Sequence, residues 1–387
     1  MSPIHEIHAK SILRKAKRID SWFCSSMSMN LYRGCLHDCA YCDGRAEQYR
    51  VPGCWGRDLE VKLNAPVILE RELDPTRRRK AFPGGYLFLG GGVNDSYQAA
   101  ETEYRLARKA LELSYRFYHP VHILTKSSRV EEDLDLIDAI HRRRGALVSM
   151  SFSTVDAEIA GHFEPGASSP GERLKTLKLF KERGIPVGTY LLPVIPFISD
   201  TPEKIGESLA AFKQAGADFT VFGGMTLKEG GQKRHFLDLL AEYAPEKLDL
   251  YEMIYPHDPY GSPSGDYHRS INQSFNAAAD YFGIDKRLPL RLFKDIVNQD
   301  ERICLLLAQM GDLMELKGER SPFGFAAYSL WQRLDGSGEC IGRMGSDLKR
   351  VKGVGPLILR AIHEIIETGT CGYYQRLLEG RVKPYPQ

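Results

Sequence analysis

The sequence has no apolar run long enough to cross a bilayer. Its longest such stretch, Val187 to Ile198, is short and broken by proline, whereas a spanning helix needs about 20 apolar residues. Basic residues near the start (Lys10, Arg14, Lys15, Lys17, Arg18) are followed by no apolar segment. A signal peptide is therefore not expected; a cytoplasmic location without a membrane partner is. Charge of one sign is also lacking. The net value is +2, so the whole-chain balance points neither to nucleic acid nor to a membrane surface. Internal repeats and low-complexity tracts are absent. The eight cysteines in 387 residues do not form a disulfide framework, because three of them crowd into eight positions and the rest scatter. That usage points to a reducing compartment and to a metal or cluster site. With 43% hydrophobic and 26% charged residues, the chain has enough apolar material for a large core. Its length suggests two or three domains at about 150 residues each.

From about residue 86 to 240, strand-like and helix-like segments alternate. Tyr86 to Leu89, Val121 to Leu124, Ala146 to Phe152, Val187 to Leu192 and Phe219 to Phe222 read as buried strands. Between them lie helical spacings over 99–117, around Leu134, Ile137 and Ile140, around Leu174, Leu177 and Phe180, and over 202–215. Repeated strand–helix units imply parallel strands joined by right-handed crossovers. The expected fold class is α/β, a full or partial (β/α) barrel with its chemistry at the C-terminal ends of the strands. Residues 255–268 are rich in turn formers and aromatics and read as a loop, a lid or a linker. Beyond about 300 the pattern is all helical. Two domains are expected, 1–290 and 300–387.

The sharpest motif is Asn30-Leu-Tyr-Arg-Gly-Cys35-Leu-His-Asp-Cys39-Ala-Tyr-Cys42. Three thiolates spaced Cys-x3-Cys-x2-Cys on one loop can hold three irons of a [4Fe–4S] cluster and leave the fourth open. The alternatives are zinc completed by His37 or Cys54, and three unrelated thiols.

The triad, with Tyr41 just before the last cysteine, resembles the signature of the radical S-adenosylmethionine (SAM) superfamily. The likeness extends to the spore photoproduct lyase-like branch through Asn94-Asp95-Ser-Tyr-Gln98, Leu124-Thr-Lys126-Ser, Ser149-Met-Ser151-Phe-Ser153 and Phe163-Glu164-Pro165-Gly166 on to Glu172-Arg173-Leu174 and Gly184-Ile185-Pro186. The resemblance implies a [4Fe–4S] cluster on Cys35, Cys39 and Cys42, with SAM chelated at the open iron and reductively cleaved to a 5′-deoxyadenosyl radical. It also implies an electron donor such as flavodoxin or ferredoxin. Tyr41, Gly91, Gly92, Asp95, Lys126 and Ser151 are the expected SAM-binding residues. Gly90-Gly91-Gly92 lets backbone approach a ligand closely. Lys126 and Ser151, at or near strand ends, suit the SAM carboxylate, and Asp95 suits a ribose or an amine. Two positions depart from the branch. The lyase's hydrogen-returning cysteine is replaced by Gly92, and its tyrosine after the third cluster cysteine by Asp43. Cys54, Cys304, Tyr255 and Tyr260 are the candidates for another hydrogen donor.

In the tail, Arg350-Val-Lys-Gly353-Val-Gly355-Pro-Leu-Ile-Leu-Arg360 reads as helix, Gly-x-Gly turn, helix. It resembles the helix-hairpin-helix in the N-terminal domain of family X DNA polymerases. That implies DNA held through backbone phosphates, with Lys352, Gly353, Gly355 and Arg360 as contacts. Ala361 stands where members with deoxyribose phosphate lyase activity carry their Schiff-base lysine, so that chemistry is not expected. The leading expectation is a lyase-like radical SAM enzyme acting on DNA, in lesion repair or modification. The rivals are the same chemistry on RNA, a peptide or a small molecule, and a cluster-bearing nucleic-acid-binding protein without turnover.

Overall fold

The computed structural model describes residues 4–51, 53–77, 82, 84–91, 93–256, 258–334 and 339–380. Its ten strands are β1 (Ile4–Ile7), β2 (Leu13–Asp20), β3 (Ser25–Met29), β4 (Tyr32–Arg33), β5 (Leu59–Lys62), β6 (Leu87–Leu89), β7 (Val121–Thr125), β8 (Ala146–Phe152), β9 (Val187–Val194) and β10 (Phe219–Gly224). Seven form one sheet in the order β10-β9-β8-β7-β6-β3-β2, and β1, β5 and β4 form a small second sheet. In the large sheet β3 and β6 to β10 run parallel, and only β2 is antiparallel, paired with β3. This is an α/β fold with a curled half-barrel sheet, the partial-barrel alternative of the sequence-based expectation.

Strands β6 to β10 fall where the apolar runs predict them. Each is buried on both faces, so each reads as a continuous hydrophobic segment without alternation. The helices between them begin at legible caps. Ser169 and Glu172 form a capping box before Pro170–Glu182, and Thr201 caps Pro202–Gln214, each supplying acceptors for otherwise orphaned N–H groups. The helix expected over 99–117 is broken at Arg105, which takes a left-handed conformation at φ 49°. Strand β3 was not expected, because Ser-Ser-Met-Ser-Met lacks both alternation and β-branched residues. Its position between β2 and β6 is a tertiary decision.

Alternate strand residues serve two cores. Val148, Met150 and Phe152 pack outward with Leu177, Phe180 and Phe212 of the flanking helices. Leu147, Tyr190, Phe219 and Val221 face the other way and share one apolar cluster with Ile303, Leu306, Met310 and Ile362 of the C-terminal helices. Ile303 to Leu313 lies within helix Gln299–Leu316, which is buried on nearly every side; a helix apolar all round belongs in a core. It packs on β2. With Ser21 and Arg287 it spans the open side of the half-barrel, where β2 and β10 remain sheet edges.

Around residues 345–368 the Gly-x-Gly turn is preceded by a 3-10 turn, Gly345–Arg350, and followed by helix Pro356–Thr368. Gly353 has φ +88°, and a Cβ there would press on Phe325. Lys352 and Arg360 are exposed, the Lys352 ammonium lies 5.5 Å from the Phe325 ring centre, and Ala361 is buried. No helix among the described residues is long and apolar enough to cross a membrane.

Candidate active site

The C-terminal ends of the parallel strands open into a cavity of about 640 Å³. Its walls include Cys35, Cys39, Cys42, Tyr41, Gly91, Asp95, Lys126 and Ser151, so eight residues singled out from the sequence converge on one space. Gly92 lies outside the described residues.

The cysteine loop is held by contacts that sequence spacing does not reveal. The Leu36 N–H donates to Gln98 Oε1 (2.8 Å), the Ala40 N–H to the Phe163 carbonyl (2.9 Å) and the Gly166 N–H to the His37 carbonyl (3.0 Å). A Cβ at Gly166 would collide with the backbone of Leu36 and His37, so the close approach requires glycine. His37 Nδ1 lies 2.9 Å from the Gly166 carbonyl, and Nε2 lies 3.1 Å from the Asp95 carboxylate. Both ring nitrogens of His37 thus face protein oxygens. Cys54 is exposed and does not line the cavity, so it is not placed to complete a zinc site there. Burial raises all three thiols, Cys42 to about 11. Without a metal they stay protonated, and metal binding would release the protons.

Asp95 is placed as a clamp. Its Oδ1 accepts from the Tyr97 N–H (2.8 Å) and the Thr125 hydroxyl (2.7 Å), and its Oδ2 from the Lys126 N–H (2.8 Å). Burial alone would raise its pKa, but His37 and these donors outweigh that and lower it. Its acceptor capacity is thus largely spent within the protein, which leaves little for a ribose.

Lys126 donates to Ser151 Oγ (2.9 Å) and Glu164 Oε1 (3.1 Å), and its ammonium lies 5.6 Å from the Tyr41 ring centre. Glu164 was not singled out for a role, yet it is the hub. It also accepts from the Tyr41 hydroxyl and from Arg173 Nη2 (2.5 Å). Arg173 is fully buried and donates from Nη1 to the Ser151 carbonyl (2.5 Å). Burial would raise the Glu164 pKa, but Arg173 and Lys126 hold the carboxyl well below the usual range. The only hint in the sequence was the place of Glu164 and Arg173 inside a family-like segment. Asp43 is tied to Lys228 (2.6 Å), Thr226 (2.7 Å) and Gln232 (3.1 Å), which fastens the cysteine loop to the end of β10.

None of the four hydrogen-donor candidates reaches the cavity. Cys304 is enclosed in the core of helix Gln299–Leu316. Tyr255 is buried and donates to the Met225 carbonyl (2.9 Å), and Tyr260 is largely exposed. The loop over 255–268 is partly helical, since helix Gly265–Phe282 begins within it and brings His268 to the cavity.

Residues 29–209 match the family model of the radical SAM superfamily, the stretch that carries the cysteine loop and β4 to β9. An uncharacterised protein of Mycobacterium tuberculosis (strain ATCC 25618 / H37Rv) is 29% identical over 264 residues, covering 67% of this chain and 76% of that protein. One from Acidianus two-tailed virus is 27% identical over 249 residues, covering 61% and 77%. Among solved structures, spore photoproduct lyase complexed with dinucleoside spore photoproduct aligns with a TM-score of 0.54 and 17% identity over 72% of this chain and 79% of that one. A mutant of that lyase with bound AdoMet and dinucleoside spore photoproduct aligns at 0.51, with 18% identity over 70% and 78%. Residues 29–209 are therefore similar to a radical SAM domain, and the half-barrel is similar in fold to that of the lyase.

Proposed function

We propose that this protein is a radical SAM enzyme acting on DNA, in lesion repair or base modification. The observation that carries the chemistry is the open cysteine triad facing the same cavity as Lys126 and Ser151. Cys35, Cys39 and Cys42 would hold the cluster, with no fourth ligand grouped beside them among the described residues. When bound, a reduced [4Fe–4S] cluster with SAM supplies a 5′-deoxyadenosyl radical. The protein's own part is to place charges and exclude water. Lys126 offers a cation to a carboxylate, and Glu164 and Arg173 fix the position of that cation and of Tyr41 from within the core. Gly91 leaves room beside the strand end. Reduction calls for an electron donor such as flavodoxin or ferredoxin.

DNA as substrate is supported by the likeness to a lyase whose solved complex contains a dinucleoside spore photoproduct, and by the tail. There Lys352 and Arg360 are exposed beside a Gly-x-Gly turn opening a helix, a geometry suited to backbone phosphates. A base inside a duplex would have to leave the stack, at a cost of a few kcal/mol. Gly92 and Asp43 make spore photoproduct reversal by the lyase's own route a poor fit. The decisive experiment is anaerobic cluster reconstitution, reduction with dithionite and addition of SAM, comparing no nucleic acid, intact DNA, irradiated DNA and RNA. 5′-Deoxyadenosine formation stimulated by DNA is the expected result. Cleavage indifferent to DNA, with no gel retardation, would remove DNA from the proposal, and no cleavage at all would remove the enzyme.

A further inference from the structure

The cavity has a second wall, built by residues outside the radical SAM match. Asn272 sits on helix Gly265–Phe282 with 3% of its surface exposed. Its side-chain amide has no hydrogen-bond partner among the described residues. The amide lines the cavity, where a ligand can reach its unspent donor and acceptor. It cannot easily turn away, because Phe275 on the same helix stacks on Phe222 of β10 with ring centres 4.4 Å apart.

Arg287 and Asp312 complete the wall. Asp312 Oδ2 accepts from Ser21 Oγ (2.7 Å) and Arg287 Nε (3.2 Å), while its Oδ1 is left without a partner. Arg287 is 3% exposed, lies 5.5 Å from the Trp22 ring centre and donates from Nη1 to the Lys286 carbonyl (2.7 Å). Its Nη2 has no partner among the described residues. The wall therefore offers unspent donors (Asn272 and Arg287) and unspent acceptors (Asn272 and Asp312) beside the flat apolar surface of Trp22.

The charges select the ligand. The Arg287 cation is already offset by Asp312, and Glu315 on the same helix also lines the cavity. An anion would meet no free positive charge there. A cation without acceptors would leave Arg287 Nη2 unpaired. A planar, uncharged group with a donor and an acceptor on one edge satisfies both sets.

We propose that Asn272, Arg287 and Asp312 form a specificity wall that recognises an uncharged cyclic amide or imide edge, of the kind a nucleobase carries, and rejects anions. This rests on the cavity being the reaction site, but it can be tested without the reaction.

The test is isothermal titration of the full chain with thymidine, N3-methylthymidine (imide N–H blocked) and orotate (the same ring with a carboxylate). Thymidine should bind saturably, and the other two at least about tenfold more weakly, the equivalent of one lost hydrogen bond. Asn272→Leu should weaken thymidine binding about tenfold while leaving the Tm unchanged, because the substitution removes no hydrogen bond within the protein. A merely structural Asn272 would give a lowered Tm. Asn272→Ser serves as the second variant should the leucine disturb folding. Absence of thymidine binding, equal binding of all three probes, or unchanged binding in both variants would overturn the proposal. 5′-Deoxyadenosine formation is measured separately, so failure of this wall and failure of the radical chemistry are distinguishable.

Discussion

Replacing Glu164 by glutamine keeps the volume of the side chain and removes its charge. Arg173, fully buried and 2.5 Å from Glu164 in the native protein, would then hold an uncompensated charge in the core. Breaking a buried pair from one side costs about 3–5 kcal/mol, whereas replacing both partners by uncharged groups is often close to neutral. E164Q should therefore lose about 3–5 kcal/mol in urea unfolding at pH 7, and E164Q/R173M should regain most of it. The pH dependence gives a second readout. Glu164 has a depressed pKa in the folded state, so its contribution is present above the unfolded value of about 4.3. That contribution is lost as pH falls from there toward the folded value. The gap between wild type and E164Q should narrow on acidification below about pH 4.3. A single variant within about 1 kcal/mol of wild type, or a double variant no better than the single, would refute the placement of this pair as the buried support of Lys126 and Tyr41.

Cys39→Ala should abolish iron loading and the absorbance near about 400 nm expected of thiolate-ligated clusters, while Cys54→Ala should retain both; equal iron content in the two variants would contradict the ligand assignment. Lys352→Ala and Arg360→Ala should each weaken DNA binding and lower the salt slope by about one unit without altering SAM cleavage, as measured by gel retardation across a salt series. His122 is enclosed in the sheet interior, between the Phe23 carbonyl (3.1 Å) and Ser149 Oγ (2.9 Å), and burial lowers its pKa to about 4. A depressed folded value means that stability is intact above the unfolded value of 6.5 and lost as pH falls toward 4. His122→Leu should flatten that part of the urea-midpoint curve, and an unchanged slope would count against a neutral buried imidazole.

Much of the barrel was legible because parallel strands buried on both faces announce themselves as apolar runs, and capped helices announce their starts. Strand β3 was not, since its serines and methionines carry no period and its pairing with β6 is set across about sixty residues. Arg105 broke a helix whose apolar spacing ran on without interruption. The hydrogen-donor candidates do not line the cavity, because chemical type says nothing about location. Cys304 has a suitable thiol, and the structure seals it inside a helix core.

By itself the sequence determined the cysteine loop and the strand–helix alternation, because both are local. Ligand spacing on one loop and the side-chain period of an element are properties of neighbouring residues. Tertiary structure alone decided what faces that loop. Ser21 meets Asp312 across 291 positions, Tyr41 meets Glu164 across 123, and Gly166 seats His37 across 129. Such contacts form only once the sheet curls and the C-terminal helices span its open side, so the wall opposite the cysteines leaves no local trace in the chain.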